Sequence, residues 1–192
     1  MTSPSRDAHG TQAGWVGEVL NFWFVEVPRQ QWFAGGAGLD AQVRARFLPV
    51  HRVVAVEPED TLLVDAKTAL AAVIVLDQFS RNMFRGTPSA FASDAKALAI
   101  AETAIAKGFS EALDSDERLF LYMPFEHQEN ADAQARSLEL ISALGDPELT
   151  RFARAHKHTI DRFGRFPHRN AILGRTSTAE ELEFLKGPGS SF

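Results

Sequence analysis

The sequence contains no cysteine. This absence excludes disulfides, thiolate nucleophiles and cysteine-ligated metals, and it fits a reducing cytoplasm, where we expect the protein to reside. Long hydrophobic runs are also missing, because the longest, residues 69–76, is far shorter than the ~20 residues that cross a bilayer. Residues 1–14 are small and polar and lack the apolar centre of a signal peptide, so no membrane partner is expected.

An excess of basic residues is missing too. The net charge is −5, whereas a general nucleic-acid binder usually presents a basic surface, so nucleic acid is not an expected partner. Hydrophobic residues make up 45% of the 192 residues and include fifteen phenylalanines, enough to build a buried core. We therefore predict a disordered N-terminal tail over residues 1–14 and a single domain over residues 15–192.

Helical spacing of apolar residues recurs along the chain and predicts an all-α fold of seven to nine helices. The segment 65–79 is apolar almost all round, which is typical of a helix in the middle of a bundle. Asp146 followed by Pro147 predicts the start of a helix that ends at Phe163, before Gly164. Stacked helical pairs in a solenoid and an irregular bundle both fit this pattern.

Three short polar strings stand out because each places charges and amides against phenylalanines near a predicted helix end. They are residues 76–82, residues 124–129, where Pro124 predicts a helix interruption, and residues 163–170. An unpaired buried charge costs several kcal/mol or shifts its pKa until it is neutral. The strings therefore either hold the fold together or line a shared pocket.

Two of the strings offer charged pairs or clusters. Asp77 and Arg81 are spaced i,i+4, so they lie on one helix face and can form an ion pair. Arg162 leads into residues 163–170, which concentrate cationic and titratable side chains in an otherwise acidic chain. These cations either hold the last carbonyls of a helix or form an anion site, because arginine forks match carboxylate and phosphate.

The histidines allow an acid–base interpretation but not a metal site. Glu126 and His127 are adjacent, which suits acid–base chemistry, although neighbours on a helix point about 100° apart. His156 lies on an apolar helix face, where a hydrogen-bonded core histidine is the commoner outcome. His156 and His158 face opposite sides of their helix and cannot share an ion. Nucleotide-binding and hydrolase signatures are missing, so no cofactor and no metal are predicted.

The chain resembles the bacterial domain-of-unknown-function family 924 over nearly its whole length. The resemblance is carried by residues 19–24, 31–33, 76–79 with Arg81 and Asn82, 84–88, 120–127 and 162–175. The last of these, RFGRFPHRNAILGR, is a highly specific string. The resemblance implies a tetratricopeptide-like superhelical array of helices, and it implies no established activity.

Three functions remain open at this point. The leading one is a helical scaffold whose groove binds an anionic small molecule or an acidic peptide. The predicted ligand-binding residues are Arg81, Asn82, Arg136, His156, Arg162, Arg165, His168, Arg169 and Asn170. The second is a hydrolase or lyase in the same groove, with a histidine as general base and a carboxylate that orients it. Its catalytic candidates are His127, Glu126, His168 and Asp77.

The third function is purely structural, an internal ion-pair and amide network that fixes how the helices cross. Binding of single-stranded RNA through Phe163, Phe166 and neighbouring arginines is a fourth interpretation, and the acidic chain argues against it. The first three functions require that distant stretches of the chain meet. The first two also require an accessible hollow where they meet.

Overall fold

The computed structural model of the chain describes residues 8–190. Within that range no β-strand forms, and eight α-helices of at least six residues are present together with three single turns of α-helix. The predicted all-α fold is therefore confirmed, while the tetratricopeptide-like superhelical arrangement stays a prediction. The helices are α1 (Ala8–Asn21), α2 (Gln31–Ala34), α3 (Ala37–Val54), α4 (Glu59–Leu62), α5 (Ala66–Val73), α6 (Ser80–Met83), α7 (Asp94–Ala106), α8 (Ser115–Glu126), α9 (Ala131–Ser142), α10 (Pro147–Phe163) and α11 (Ala179–Phe184).

The segment predicted as an N-terminal tail, residues 1–14, is only partly described. Helix α1 begins inside it, at Ala8, and residues 1–7 lie outside the described residues. Two π-helical turns (Phe22–Glu26 and Ile74–Phe79) and three short 3₁₀ turns (Pro88–Ala90, Phe109–Ala112 and Pro167–Arg169) complete the helical segments. No helix within residues 8–190 combines the length and the apolarity needed to cross a lipid bilayer.

The centre of the fold is a continuous helical rod that runs from α5 through the second π-helical turn into α6. Asp65 caps its start by accepting a hydrogen bond from Thr68 N at 2.8 Å. Residues 69–76 are fully buried, because α1, α3, α7 and α8 pack around the rod and cover every face. The predicted central helix is confirmed, and the all-round apolar composition is the reason for its position.

An aromatic cluster holds the rod in place. Phe79, at the end of the π-helical turn, packs edge-on against Trp23 at 5.5 Å between ring centroids and lies 4.8 Å from Phe47. Phe120 of α8 also packs edge-on against Trp23, at 5.4 Å. Such buried aromatic contacts add to the stability given by burial alone. They fix the end of the rod, where the polar residues begin.

The second π-helical turn (Ile74–Phe79) places a charged residue in this apolar interior. A π turn accommodates one residue more than an α turn, and such turns are frequent at functional sites. Asp77 lies within the turn and is fully buried, and it directly follows the buried hydrophobic residues 69–76. The local backbone therefore places a carboxylate in the interior of the protein.

The later helices follow the sequence signals closely, with one exception. Helix α10 spans the predicted residues, with Asp146 as its cap and Gly164 in the left-handed conformation (φ 68°) at its end. Thr178 and Glu181 form a capping box at the start of α11. The predicted interruption at Pro124 is wrong, since α8 continues through Pro124 to Glu126. A proline lacks the N–H that one helical bond needs, but a buried, well-packed helix can carry that loss near its end.

Candidate functional site

Residues from all three polar strings come together in the interior. We term this group the central cluster and define it by seven side chains that lie on the rod, on α7, on α8, on α10 and in the loop after α10. Its members are Asp77, Arg81, Asp94, Glu126, His127, His156 and Arg169. Each of these side chains is at most about a fifth exposed, so their mutual contacts are shielded from solvent.

A carboxylate–histidine pair forms the core of the cluster. His127 caps the end of α8, and its Nδ1 lies 2.7 Å from Oδ1 of Asp77 on the rod. Gln78 donates a hydrogen bond to the other carboxylate oxygen at 2.6 Å, and Arg81 Nη1 lies 3.1 Å from Oδ1. The predicted ion pair of Asp77 and Arg81 is therefore present. Both oxygens of the buried carboxylate are satisfied.

The protonation of this pair follows from its surroundings. Burial by itself would raise the pKa of Asp77, but the Arg81 charge and the hydrogen bonds from His127 and Gln78 outweigh it and lower the pKa to about 2. Burial and the positive Arg81 lower the pKa of His127, against the attraction of Asp77. At neutral pH the aspartate is thus ionised and the imidazole neutral. Nδ1 then carries the proton that Asp77 accepts, and Nε2 has a free lone pair.

Arg81 links the rod to α7. Its two terminal nitrogens donate to the two carboxylate oxygens of Asp94 at 2.9 and 3.0 Å, a bidentate pair. Asp94 Oδ2 also lies 3.7 Å from Nη1 of Arg169. The Arg169 guanidinium donates to the backbone carbonyl of His127 at 3.0 Å. Two arginines and two aspartates therefore surround the histidine.

The second carboxyl of the cluster behaves oppositely to the first. Burial raises the pKa of Glu126 to about 8, and the negative charge of Asp77 adds to the rise. Its Oε1 lies 3.2 Å from Nδ1 of His156, yet this is no ion pair, because burial lowers the pKa of His156 to about 3. Nδ1 of His156 instead hydrogen-bonds to the carbonyl of Phe152 at 3.0 Å. Glu126 is thus a protonated, neutral acid at pH 7.

A separate group of ion pairs fastens the C-terminal segment. Glu129 accepts hydrogen bonds from Phe166 N at 2.7 Å and from two guanidinium nitrogens of Arg175 at 2.5 and 2.8 Å. Arg165 forms a bidentate pair with the buried Glu181, at 2.6 and 2.8 Å. These contacts connect the end of α8 to the loop after α10 and to α11. Their role is to position that loop, which carries Arg169.

The structure divides the predicted ligand-binding residues among several places. Arg81, His156 and Arg169 lie in the central cluster. Arg165 and Asn170 belong to the C-terminal ion-pair group, where Asn170 contacts Ser177, Arg175 and Glu181. Asn82 donates to Asp40 at 2.8 Å, away from the cluster. Arg136 and Arg162 lie on the surface in ion pairs with Glu139 and Glu180.

His168 is the remaining predicted site residue. It is partly buried, and its ring lies 5.7 Å from that of Phe166. Burial, followed by the positive charge of Arg169, lowers its pKa to about 4, so it is neutral at pH 7. Charged groups of all three polar strings thus act on His168 through space.

One member of the central cluster escapes sequence reasoning. Asp94 lies outside the three polar strings, and an acidic residue at the start of a helix is the ordinary preference for interaction with the helix dipole. Nothing in the local pattern separates it from a surface carboxylate. Its partner Arg81 lies thirteen residues away, so only the packing of α7 against the rod reveals the pair.

Two surface cavities of the described structure lie away from the cluster. One, of about 520 Å³, is lined by residues 57–59, Ala95 and Lys96. The other, of about 650 Å³, lies between the start of α8 and the start of α10. Neither contains a residue of the central cluster. Among the described residues, no three His, Asp or Glu side chains are arranged to hold a metal ion.

The comparisons with known proteins agree with one another. The family model described as "Bacterial protein of unknown function (DUF924)" matches residues 19–189. A solved structure of a protein of unknown function from Agrobacterium tumefaciens is similar at 38% sequence identity with a TM-score of 0.87, covering 92% of this chain and 99% of that one. No curated protein matches the chain.

Proposed function

Because the chain belongs to the DUF924 family of bacterial proteins of unknown function, its chemistry has to be inferred from its own residues, and we propose that it is an enzyme of the hydrolase or lyase type. In this proposal the central cluster is the active site. His127 acts as the general base, Asp77 orients it, and Glu126 supplies a proton.

The observation that carries the proposal is the contact between Asp77 and His127. A buried, ionised aspartate at 2.7 Å from Nδ1 holds a neutral imidazole in one tautomer and stabilises the imidazolium that forms when Nε2 takes a proton. The His127 side chain is 10% exposed, so it is not completely closed off from solvent. Within the described residues no other hydrogen bond of this ring competes for Nε2.

The state of Glu126 supports the same proposal. Pairs of titratable groups whose surroundings push their pKa values apart are typical of acid–base sites. Here one buried carboxyl has a pKa of about 2 and the other about 8, so at pH 7 one is a fixed anion and the other a proton donor. The positive charges of Arg81 and Arg169 would stabilise negative charge that develops on a substrate.

The anion-binding scaffold is less well supported, since most of the cations it relied on are already paired. Arg81 is bound by Asp94, and Arg165 by Glu181. One observation favours the purely structural network: these arginines are paired with carboxylates of the protein itself. It does not account for the protonated Glu126 beside the neutral His156. Two neutral groups form no ion pair, so this contact does not help to fix how the helices cross.

Turnover tests the proposal. We would incubate the purified full-length protein with chromogenic carboxylic esters, chromogenic phosphate esters and a defined mixture of small carboxylated and phosphorylated metabolites. Mass spectrometry and absorbance would follow the loss of each compound. Removal of a general base typically costs about 10²–10⁴-fold in rate, so His127→Gln should lose turnover by that factor.

His158→Gln is the matched control, because His158 is an exposed histidine on α10. It should retain full turnover. If no compound is consumed by the wild-type protein, or if His127→Gln consumes it at the wild-type rate while folded, the enzyme proposal is wrong. In the first case the structural network becomes the better account.

A further inference from the structure

Arg169 is a buried cation with incomplete compensation. The residue is only 6% exposed, and its guanidinium carbon lies over two aromatic rings, 4.6 Å from the centroid of Phe91 and 4.5 Å from that of Phe166. Within the described residues, the only carboxylate within 4 Å is Asp94, at 3.7 Å, which already forms the bidentate pair with Arg81. Arg169 therefore has no carboxylate of its own.

The unused donors of Arg169 lie on one edge of the guanidinium. Nη1 donates to the backbone carbonyl of His127, but Nε is buried and has no acceptor among the described residues. No hydrogen bond of Nη2 is found there either. Buried donors are almost always satisfied in native proteins, so an unsatisfied Nε on a buried cation requires an explanation.

Two other arginines of the chain show what this edge binds. Arg85 uses Nε and Nη2 to hold the carboxylate of Asp40, at 2.6 and 2.9 Å. Arg165 holds Glu181 with the same two nitrogens, at 2.6 and 2.8 Å. The Nε–Nη2 edge is a planar fork that matches two oxygen atoms of one anionic group. Arg169 presents the same fork without an anion from the protein.

We infer that the Nε–Nη2 edge of Arg169 binds two oxygen atoms of the substrate, so that the substrate carries a carboxylate or a phosphate group. That the bound anion is a substrate rests on the proposed function. The rings of Phe91 and Phe166 pack against the guanidinium, and the Nη1 hydrogen bond to the backbone carbonyl of His127 fixes its distance from the base. Burial, followed by repulsion from Arg81, lowers the pKa of Arg169 to about 10, and a bound anion would relieve both effects.

Side-chain NMR of the arginine Nε–H groups tests the inference directly. The full-length protein would be titrated with sodium acetate and, separately, with sodium phosphate, with sodium chloride at matched ionic strength as the reference. The Arg169 Nε–H signal, assigned by its loss in Arg169→Lys, should shift and saturate with one of the two anions. The signals of Arg85 and Arg165 should stay in place, because their forks are occupied. Saturation by acetate indicates a carboxylate substrate, and saturation by phosphate indicates a phosphorylated one.

Arg169→Lys keeps the charge and removes the fork. The apparent affinity for the anion that saturates the shift, measured by thermal-shift titration, should therefore fall about tenfold. Arg154→Lys, an exposed arginine of α10, should behave as wild type. If neither anion gives a saturable Arg169 shift beyond that of chloride, the inference is wrong, even if turnover of uncharged esters supports the enzyme. A saturable shift without any turnover supports the anion site and contradicts the proposed enzyme. If Arg169→Lys does not fold, the Arg169 Nε–H signal is assigned in the wild-type protein by its through-space contacts to the rings of Phe91 and Phe166, and the wild-type titration then decides the matter.

Discussion

Asp77 and Glu126 are two buried carboxyl groups of one cluster, and each contacts a different histidine. Asp77 lies 2.7 Å from Nδ1 of His127, and Glu126 lies 3.2 Å from Nδ1 of His156, with the two rings 6.4 Å apart. Arg81 and hydrogen bonds keep Asp77 ionised, whereas burial and the negative charge of Asp77 favour the neutral form of Glu126. Two carboxyl groups of one buried cluster thus take opposite protonation states.

The protonated state of Glu126 predicts a pH-dependent stability. Because its folded pKa is about 8 and its ordinary value is 4.5, the folded protein binds a proton that the unfolded chain releases between these values. The stabilisation given by the neutral Glu126 is complete below pH 4.5 and is lost as the pH rises through 8. Over this range the free energy of unfolding falls by up to ~1.4 kcal/mol per pH unit. Glu126→Gln should remove this pH dependence. In urea unfolding, the free energy of unfolding of the variant should therefore rise relative to that of wild type between pH 5 and pH 8.

Glu139→Gln serves as the control for that measurement, because Glu139 is 68% exposed. Its difference from wild type should stay flat over the same pH range. A Glu126→Gln difference that is equally flat would show that Glu126 is ionised throughout.

Removal of the negative charge of Asp77 should destabilise the fold strongly. Asp77→Asn leaves the Arg81 charge with less compensation in the interior and removes the anion that orients His127. Breaking a buried ion pair typically costs about 3–5 kcal/mol, which urea unfolding at pH 7 would measure. The control Asp161→Asn, at an exposed pair with Lys157, should change stability by less than about 0.5 kcal/mol.

The pH dependence of the Asp77 contribution has the opposite sign to that of Glu126. Its folded pKa of about 2 lies below the ordinary 3.8, so its stabilisation is present above pH 3.8 and is lost as the pH falls toward 2. The difference between wild type and Asp77→Asn should therefore shrink in that acidic window. A difference that stays constant down to pH 2 would contradict the lowered pKa.

The tautomer of His127 can be observed without a substrate. Nitrogen NMR of the histidine rings should show a neutral His127 with its proton on Nδ1 at pH 7, because Asp77 accepts that hydrogen bond and Arg81 disfavours the charged ring. In Asp77→Asn the preference for this tautomer should weaken. A doubly protonated ring at pH 7 in the wild-type protein would remove His127 as a general base.

The ion pair of Arg165 with Glu181 should determine how firmly α11 is held. Arg165→Ala removes both hydrogen bonds to Glu181 and the bond to the Thr176 carbonyl. Amide hydrogen exchange should therefore accelerate in α11 and in the loop after α10, while exchange in the central rod stays slow. Arg162→Ala, at an exposed pair with Glu180, should leave these rates close to wild type. Acceleration throughout the protein would instead indicate global destabilisation.

Shortening Phe79 should be among the costliest core changes. The ring is fully buried and contacts Phe22, Trp23 and Phe47, so Phe79→Ala leaves a cavity that these neighbours cannot close. Such substitutions cost about 3–5 kcal/mol in unfolding free energy. Phe33→Ala, at a ring that is 58% exposed, should cost far less. Equal costs would show that the core does not depend on the Phe79 contacts.

Local signals in the sequence predict the helical elements of this protein well. Residues 69–76 are buried because they are apolar on every face, and α10 begins and ends where Asp146, Pro147 and Gly164 predict. These features depend on backbone preferences and periodicity within a few residues, which a single sequence contains. The prediction at Pro124 is wrong because the free energy lost with its missing N–H is small compared with the stabilisation that α8 gains from burial.

By itself the sequence determined an acidic, cysteine-free, all-helical chain and marked Asp77, Glu126, His127 and Arg169 as residues of interest. Only the tertiary structure decided which of them are partners and which are charged. A carboxyl group's pKa depends on distances to groups far away in sequence, such as the fifty residues between Asp77 and His127. Only packing brought Asp94 to Arg81 and left Arg136 on the surface, because these placements follow from how α7 and α9 lie against their neighbours.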